Sequence, residues 1–129
     1  MSIVRRFAGV LVGLIATANA IAAPVAYPSS GTMHIVGIFV RDEPPQAAGG
    51  RGFFIAVDMQ IPMTSCGGGG TTPYLLVPKK ISGGTVDNPL YRDLYNNAAL
   101  GFALQKPVVV YVDNCVTGWP QAVAIDVNN

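Results

Sequence analysis

Asn88-Pro89-Leu90-Tyr91-Arg92-Asp93-Leu94-Tyr95-Asn96-Asn97-Ala98-Ala99-Leu100-Gly101-Phe102-Ala103-Leu104-Gln105-Lys106-Pro107-Val108-Val109-Val110-Tyr111-Val112 is the stretch whose reading decides the fold. Leu90, Leu94, Ala98 and Phe102 recur at i, i+4 spacing, which predicts a helix with that ridge turned toward a β-layer. Asp87 or Asn88 is suited to cap it by accepting a bond from an orphan backbone N–H, and Pro89 fits the first helical position. Arg92, Asn96 and Gln105 fall on the water side. Tyr91 and Tyr95, four apart, share a face that either packs on the β-layer or lines an interface between neighbouring helices. Gly101 costs about 1 kcal/mol relative to alanine there, so it serves close packing on a strand or weakens the last turn. Lys106 complements the negative end of the helix dipole. Pro107 stops the helix, and Val108 to Val112 reads as a buried strand. Cys115 follows, and Gln121 to Val127 reads as a last strand.

Three further strands precede this segment. Thr32 to Arg41 places Met33, Ile35 and Phe39 on one face and Val36, Ile38 and Val40 on the other. Apolar residues on both faces predict a central, doubly buried strand, with Gly37 marking a bulge or bend. Phe53 to Met59 is the second strand, with Phe53, Ile55 and Val57 on one side. Tyr74 to Val77 is a short third strand closed by Pro78. Asp42 to Gly50, Ile61 to Thr72 and Ser82-Gly83-Gly84 read as loops and turns. The expected class is mainly β with one helix. The order strand, strand, strand, helix, strand, strand is that of the OB-fold, a small five-stranded, partly open Greek-key barrel. A ferredoxin-like rival needs an earlier second helix, and nothing between Gly31 and Val86 reads as one.

The N-terminus reads as a targeting segment. Arg5 and Arg6 precede an apolar run from Phe7 to Ala16, too short to span a bilayer, and Ala18-Asn19-Ala20 or Ala20-Ile21-Ala22 supplies a small-x-small cleavage pattern. The expected organisation is a signal peptide over 1–22, an extended lead over 23–31 and one domain over 32–129. The protein is then exported, to the periplasm or outside the cell, with roughly 107 to 109 residues remaining. Loss of Arg5 and Arg6 takes the basic count from 8 to 6 against 7 acids, a mature charge of about −1. Outside the leader, Lys79-Lys80 is the sole basic pair, so the clustered basic stripe of a nucleic-acid binder is missing. No later apolar run is long enough to cross a membrane.

Cys66 and Cys115 both lie in the exported part, where an even pair is most simply one disulfide. Closing a loop of 49 residues contributes on the order of 4 kcal/mol by the loop-entropy argument. Two cysteines and one distant histidine do not make a tetrahedral metal set, and no cofactor motif is present. Gly67-Gly68-Gly69-Gly70 lacks the Gly-Lys-Ser/Thr continuation of a phosphate loop.

The run from Leu94 to Val112 resembles the helix and following strand of subtilase-cytotoxin B-subunit-like proteins, the pertussis-like toxin B-subunit type. These carry an L-Y-N-x-A-L-type helix, a K/Q-P-V turn and a V-x-Y-type strand. Gly31 to Phe39 and Ser65-Cys66 agree loosely. The resemblance implies an exported OB-fold subunit without enzymatic activity of its own. In toxin members this subunit forms a ring of five, partners a toxin A subunit and binds sialylated glycans on host cells. Stand-alone exported proteins look similar over the same segment, and for them an envelope protein is the expected partner. The family's sugar-contacting serine follows a glycine early in the first strand. Aligned on Gly31, that position falls near His34, and Ser30 precedes the glycine, so this sequence departs from the pattern there.

The residues themselves suggest where a ligand sits. His34 is the single histidine, and any His-dependent proton transfer must use it. No G-x-S-x-G elbow exists to pair with it. The seven acids, Asp42, Glu43, Asp58, Asp87, Asp93, Asp113 and Asp126, show no spacing that singles out a glycosidase pair. Sugars present C–H faces to aromatic rings, with polar side chains meeting their hydroxyls. Trp119, in the last loop beside Cys115, and Tyr74, with His34 and Ser30, are the candidate ligand contacts. The alternative for Trp119 is to cap the open end of the barrel.

Overall fold

The computed structural model describes residues 23–40, 52–81 and 86–129. The signal peptide, the turn-rich Asp42 to Gly50 loop and the Ser82-Gly83-Gly84 turn of the sequence reading lie outside them. The elements are β1 (Val25–Tyr27), β2 (Ile35–Val40), β3 (Gly52–Pro62), a 3₁₀ turn (Thr64–Cys66), β4 (Thr71–Pro78), β5 (Lys80–Ile81), β6 (Val86–Asp87), α1 (Tyr91–Leu104), β7 (Val108–Val116) and β8 (Trp119–Val127). The five long strands and the helix follow the predicted order. The lead contributes β1, a strand the sequence reading did not separate from an extended arm.

Six strands form one mixed sheet in the order β1-β7-β8-β4-β3-β2, and β5 pairs with β6 in a separate ribbon. Every pairing in the sheet is antiparallel except β4 with β8. The sheet does not close into a barrel. The start of β7 meets the segment leading into β2 at a backbone bond, Val108 N–H to the Met33 carbonyl, 2.8 Å. No helix among the described residues is long and apolar enough to cross a membrane.

The core lies between α1 and one face of the curled sheet. Met33, Ile35, Phe53, Ile55, Val57, Leu75, Val77, Val110 and Ile125 fill it with Leu94 and Ala98 of the helix. Each such side chain contributes about 1.5–3 kcal/mol by leaving water. Leu90 and Phe102, expected in the buried ridge, are 49% and 39% exposed. The reason is angular. Steps of four residues drift about 40° each around a 3.6-residue helix, so a strict i, i+4 row leaves the face it starts on. The buried stripe instead mixes steps of three and four: Tyr91 packs partly, then Leu94, Ala98 and Gly101 are buried.

The position of β2 also corrects the sequence reading. It is an edge strand of the sheet, not a central one, and Val36 and Val40 are exposed. The predicted irregularity at Gly37 is present, as a register shift between Ile35 and Gly37. One extra residue reverses the parity of everything after it. Ile38 therefore turns toward the core and Phe39 turns to the outer face, opposite to uninterrupted alternation.

Asn88 anchors the helix entrance, although regular helix begins only at Tyr91. Its side chain accepts from Leu90 N–H (3.1 Å) and donates to the Pro78 carbonyl (2.9 Å), and its own N–H donates to the Lys79 carbonyl (2.9 Å). At the far end Gln105 adopts the left-handed conformation, and Lys106 N–H returns to the Gly101 carbonyl. Cys66 and Cys115 form the expected disulfide, with Cα atoms 4.8 Å apart, between the 3₁₀ turn and β7.

Gly101 is in the sequence for close approach. A Cβ there meets Val108 Cγ1 at 2.8 Å and lies within 3.8 Å of Val127 and Ile35 side chains. Valine is stiff at χ1 and cannot yield cheaply. We predict that Gly101→Ala lowers stability by about 1–2 kcal/mol, overpacking outweighing the roughly 1 kcal/mol that alanine gains in a helix. A denaturation midpoint that rises in this variant would contradict the tight seat.

Candidate functional site

The outer face of the sheet, opposite the helix, carries a second apolar cluster. Adjacent phenylalanines on β3 divide between the two faces, as the period of two requires. Phe53 enters the core, where Tyr91 and Tyr95 meet it edge-on with ring centroids 5.3 Å away. The shared tyrosine face thus packs on the sheet, while Tyr95 stays largely exposed. Burial, reinforced by Tyr95, pushes the Tyr91 phenol up.

Phe54 turns outward yet is 1% exposed, because other side chains cover it. Phe39, directly across on β2, stacks on it with centroids 5.4 Å apart and planes 8° from parallel. Trp119 meets Phe54 edge-on at 5.3 Å and Tyr74 edge-on at 6.1 Å. Tyr74 meets Phe39 edge-on at 5.8 Å, which completes a circuit of four rings. Leu76, opposite Phe54 on β4, is buried beneath them. Phe39 and Tyr74 each remain 38% exposed and Trp119 is half-buried, so the cluster presents ring surface to solvent.

Trp119 is held by a tight turn. It opens β8 rather than lying in a loop, and it pairs with Val116, leaving Thr117-Gly118 as a two-residue connection. Both central residues have positive φ, 52° and 85°, the combination of a type I′ hairpin. A β-branched threonine is strained in that region, and its buried Oγ1 has no hydrogen-bond partner among the described residues.

His34 and Asp58 form a polar clamp on the same side of the sheet. The Asp58 carboxylate accepts from His34 N–H at 2.7 Å and from Nδ1 at 3.1 Å, and Asp58 N–H donates to the His34 carbonyl at 3.1 Å. The bond from Nδ1 leaves Nε2 as the free ring nitrogen. Phe54, Ala56 and Asp58 alternate outward along β3, so the clamp lies about 13 Å from Phe54 at ordinary strand rise. The His34 backbone N–H, above all, holds the Asp58 carboxyl below the usual carboxylate range, and the His34 side chain adds to this.

Of the four candidate contacts read from sequence, Tyr74 and Trp119 come together, and His34 stands further along the same face. Ser30 is exposed in the connection between β1 and β2 and makes no hydrogen bond to the other three. Sequence reasoning missed Phe39, Phe54 and Asp58. Carrying the Gly37 bulge through the parity of β2 would have found Phe39. The adjacency of Phe53 and Phe54 would have found the second. No signal in the chain pairs Asp58 with His34, which lies 24 residues away. No group of three metal-ligating side chains occurs among the described residues.

Comparison of the chain with protein-family models, with curated proteins and with solved structures returns no match.

The Asp58 carboxyl is more acidic in the folded chain than its ordinary value of about 3.9, so its bonds stabilise the fold above that pH. That stability is lost as pH falls through the folded value. Asp58→Asn should therefore flatten the acid side of the stability profile below about pH 4. Urea melts from pH 2.5 to 7 would check this, and superimposable profiles would refute the clamp.

Proposed function

We propose that this chain is an exported, non-enzymatic binding module of OB-fold-like, toxin-B-subunit-like design that takes a glycan on its aromatic outer face. The observation that carries the reading is the circuit of Phe39, Phe54, Tyr74 and Trp119. It sets exposed ring surface on a rigid sheet, supported from below by buried Phe54 and Leu76. A pyranose gains by laying its C–H face on such rings while polar groups at the margin meet its hydroxyls. The His34–Asp58 clamp offers such groups about 13 Å along the same face.

The fold supports the same reading. β4 lies beside β8 rather than β7, in the sheet's one parallel pairing, and the helix makes the crossover between the third and fourth long strands. The Met33–Val108 bond draws the start of β7 toward the start of β2. Exposed Leu100, Phe102 and Leu104 on α1 suit a helix that faces a neighbouring subunit, as in a ring of five serving an A subunit. A second reading, an envelope module that contacts another protein, draws on β2. Among the described residues that strand pairs on one side only, and it carries no charge and exposes Val36 and Val40, which leaves a template for another strand.

The test combines native mass with a glycan screen on the exported, oxidised protein. The expected result is a discrete oligomer that retains glycans, with Tyr74→Ala and Trp119→Ala each weakening binding by about tenfold, equivalent to about 1.4 kcal/mol per ring. A monomer that retains no glycan would discard this reading and favour the envelope partner.

A further inference from the structure

A concavity of about 300 Å³ lies away from the aromatic face, and its lining includes Ala23, Val25, Thr64, Ser65, Asp113 and Asn114. Three separate segments build it. β1 runs antiparallel to β7 with Val25 opposite Val112, which brings the chain just ahead of β1 to the Asp113-Asn114 corner. There β7 leaves the extended conformation, with Asn114 at φ 58°. The 3₁₀ turn supplies Thr64 and Ser65. The disulfide fastens these walls together, because Cys66 follows Ser65 and Cys115 follows Asn114.

The polar groups around this space are biased toward acceptors. Asp113 supplies a carboxylate, Thr64 and Ser65 supply hydroxyl oxygens, and Asn114 supplies an amide oxygen. Asp113 is the one charged residue among the described residues of the lining. Such a site suits a primary ammonium, which carries three donors and a positive charge. Ala23 is itself in the lining, and Ala20-Ile21-Ala22 immediately before it is a small-x-small cleavage pattern.

We propose that this concavity receives the chain's own new N-terminus. An export-route signal peptidase hydrolyses the Ala22–Ala23 peptide bond with one water, leaving a carboxylate on Ala22 and an amine on Ala23. The Ala23 amine takes up a proton and becomes the ammonium that Asp113 faces. Before cleavage the same nitrogen is a neutral amide with a single donor, so the carboxylate gains little from it. Processing thus completes the site and secures β1 against β7. The inference rests on the export reading, and it selects one of the two cleavage positions.

The test uses the full chain expressed in an exporting host. Intact mass and terminal sequencing should give Ala23 as the first residue. Acylation of its α-amine at neutral pH should run at least threefold slower in the native wild type than in Asp113→Asn, the two rates converging in 8 M urea. A variant that keeps Ile21 and Ala22 ahead of Ala23 should label at the faster rate although Asp113 is intact, which guards against a folding defect in Asp113→Asn. A terminus at Ile21, or equal native rates, overturns this inference while leaving export standing. An unprocessed chain overturns both.

Discussion

The structure depends on how closely α1 sits on the sheet at Gly101. Its bare backbone comes within side-chain reach of Val108 on β7, Val127 on β8 and Ile35 on β2. Those residues come from the edge strand β2 and from the β7–β8 pair, which stand apart in the order of the sheet. The helix therefore covers the place where β2 and β7 approach without pairing along their length, and it shields apolar side chains that an open sheet exposes. Leu94 and Ala98 extend this contact, while Asn88 and Gln105 fix the helix at its two ends. With that seat in place, the chain can leave β4 and return through β7 so that β8 lies beside β4.

Much of the architecture was legible because its signals are local. Pro89, Pro107 and the periodicity between them define the helix, and the valine run defines β7. The two cysteines, an even pair with no partner but each other in the sequence, are joined. What was illegible depends on a single residue of offset or on contact across the sheet. Gly37 marks a bulge or bend locally, yet its consequence for Phe39 needs parity counted through the register shift. The exposure of Leu90 and Phe102 follows from helical drift, which a list of i, i+4 matches conceals.

The candidate site shows the same division. Tyr74 and Trp119 could be singled out as aromatics near chain turns, but their proximity comes from the parallel contact of β4 with β8, which no local pattern encodes. Asp58 sits in mid-strand, where a lone carboxylate reads as solvated surface. Its role becomes visible only with the His34 backbone and ring in place. Asp87 offers a contrast. Lys80 pairs with it across the β5–β6 ribbon and holds its carboxyl low, a local pairing with no bearing on the aromatic face.

Phe53 and Phe54, neighbours in sequence, belong to opposite sides of a sheet one peptide thick. Phe53 touches the helix tyrosines, and Phe54 touches the indole of Trp119. Trp119 is also the chain's single tryptophan. The protein consequently carries its own optical gauge. Tyr74, one ring away, passes excitation energy to an indole that is half in water and half against the sheet. The colour of its emission therefore registers what rests on the outer face, and the loss of transfer registers separation of the strands beneath it.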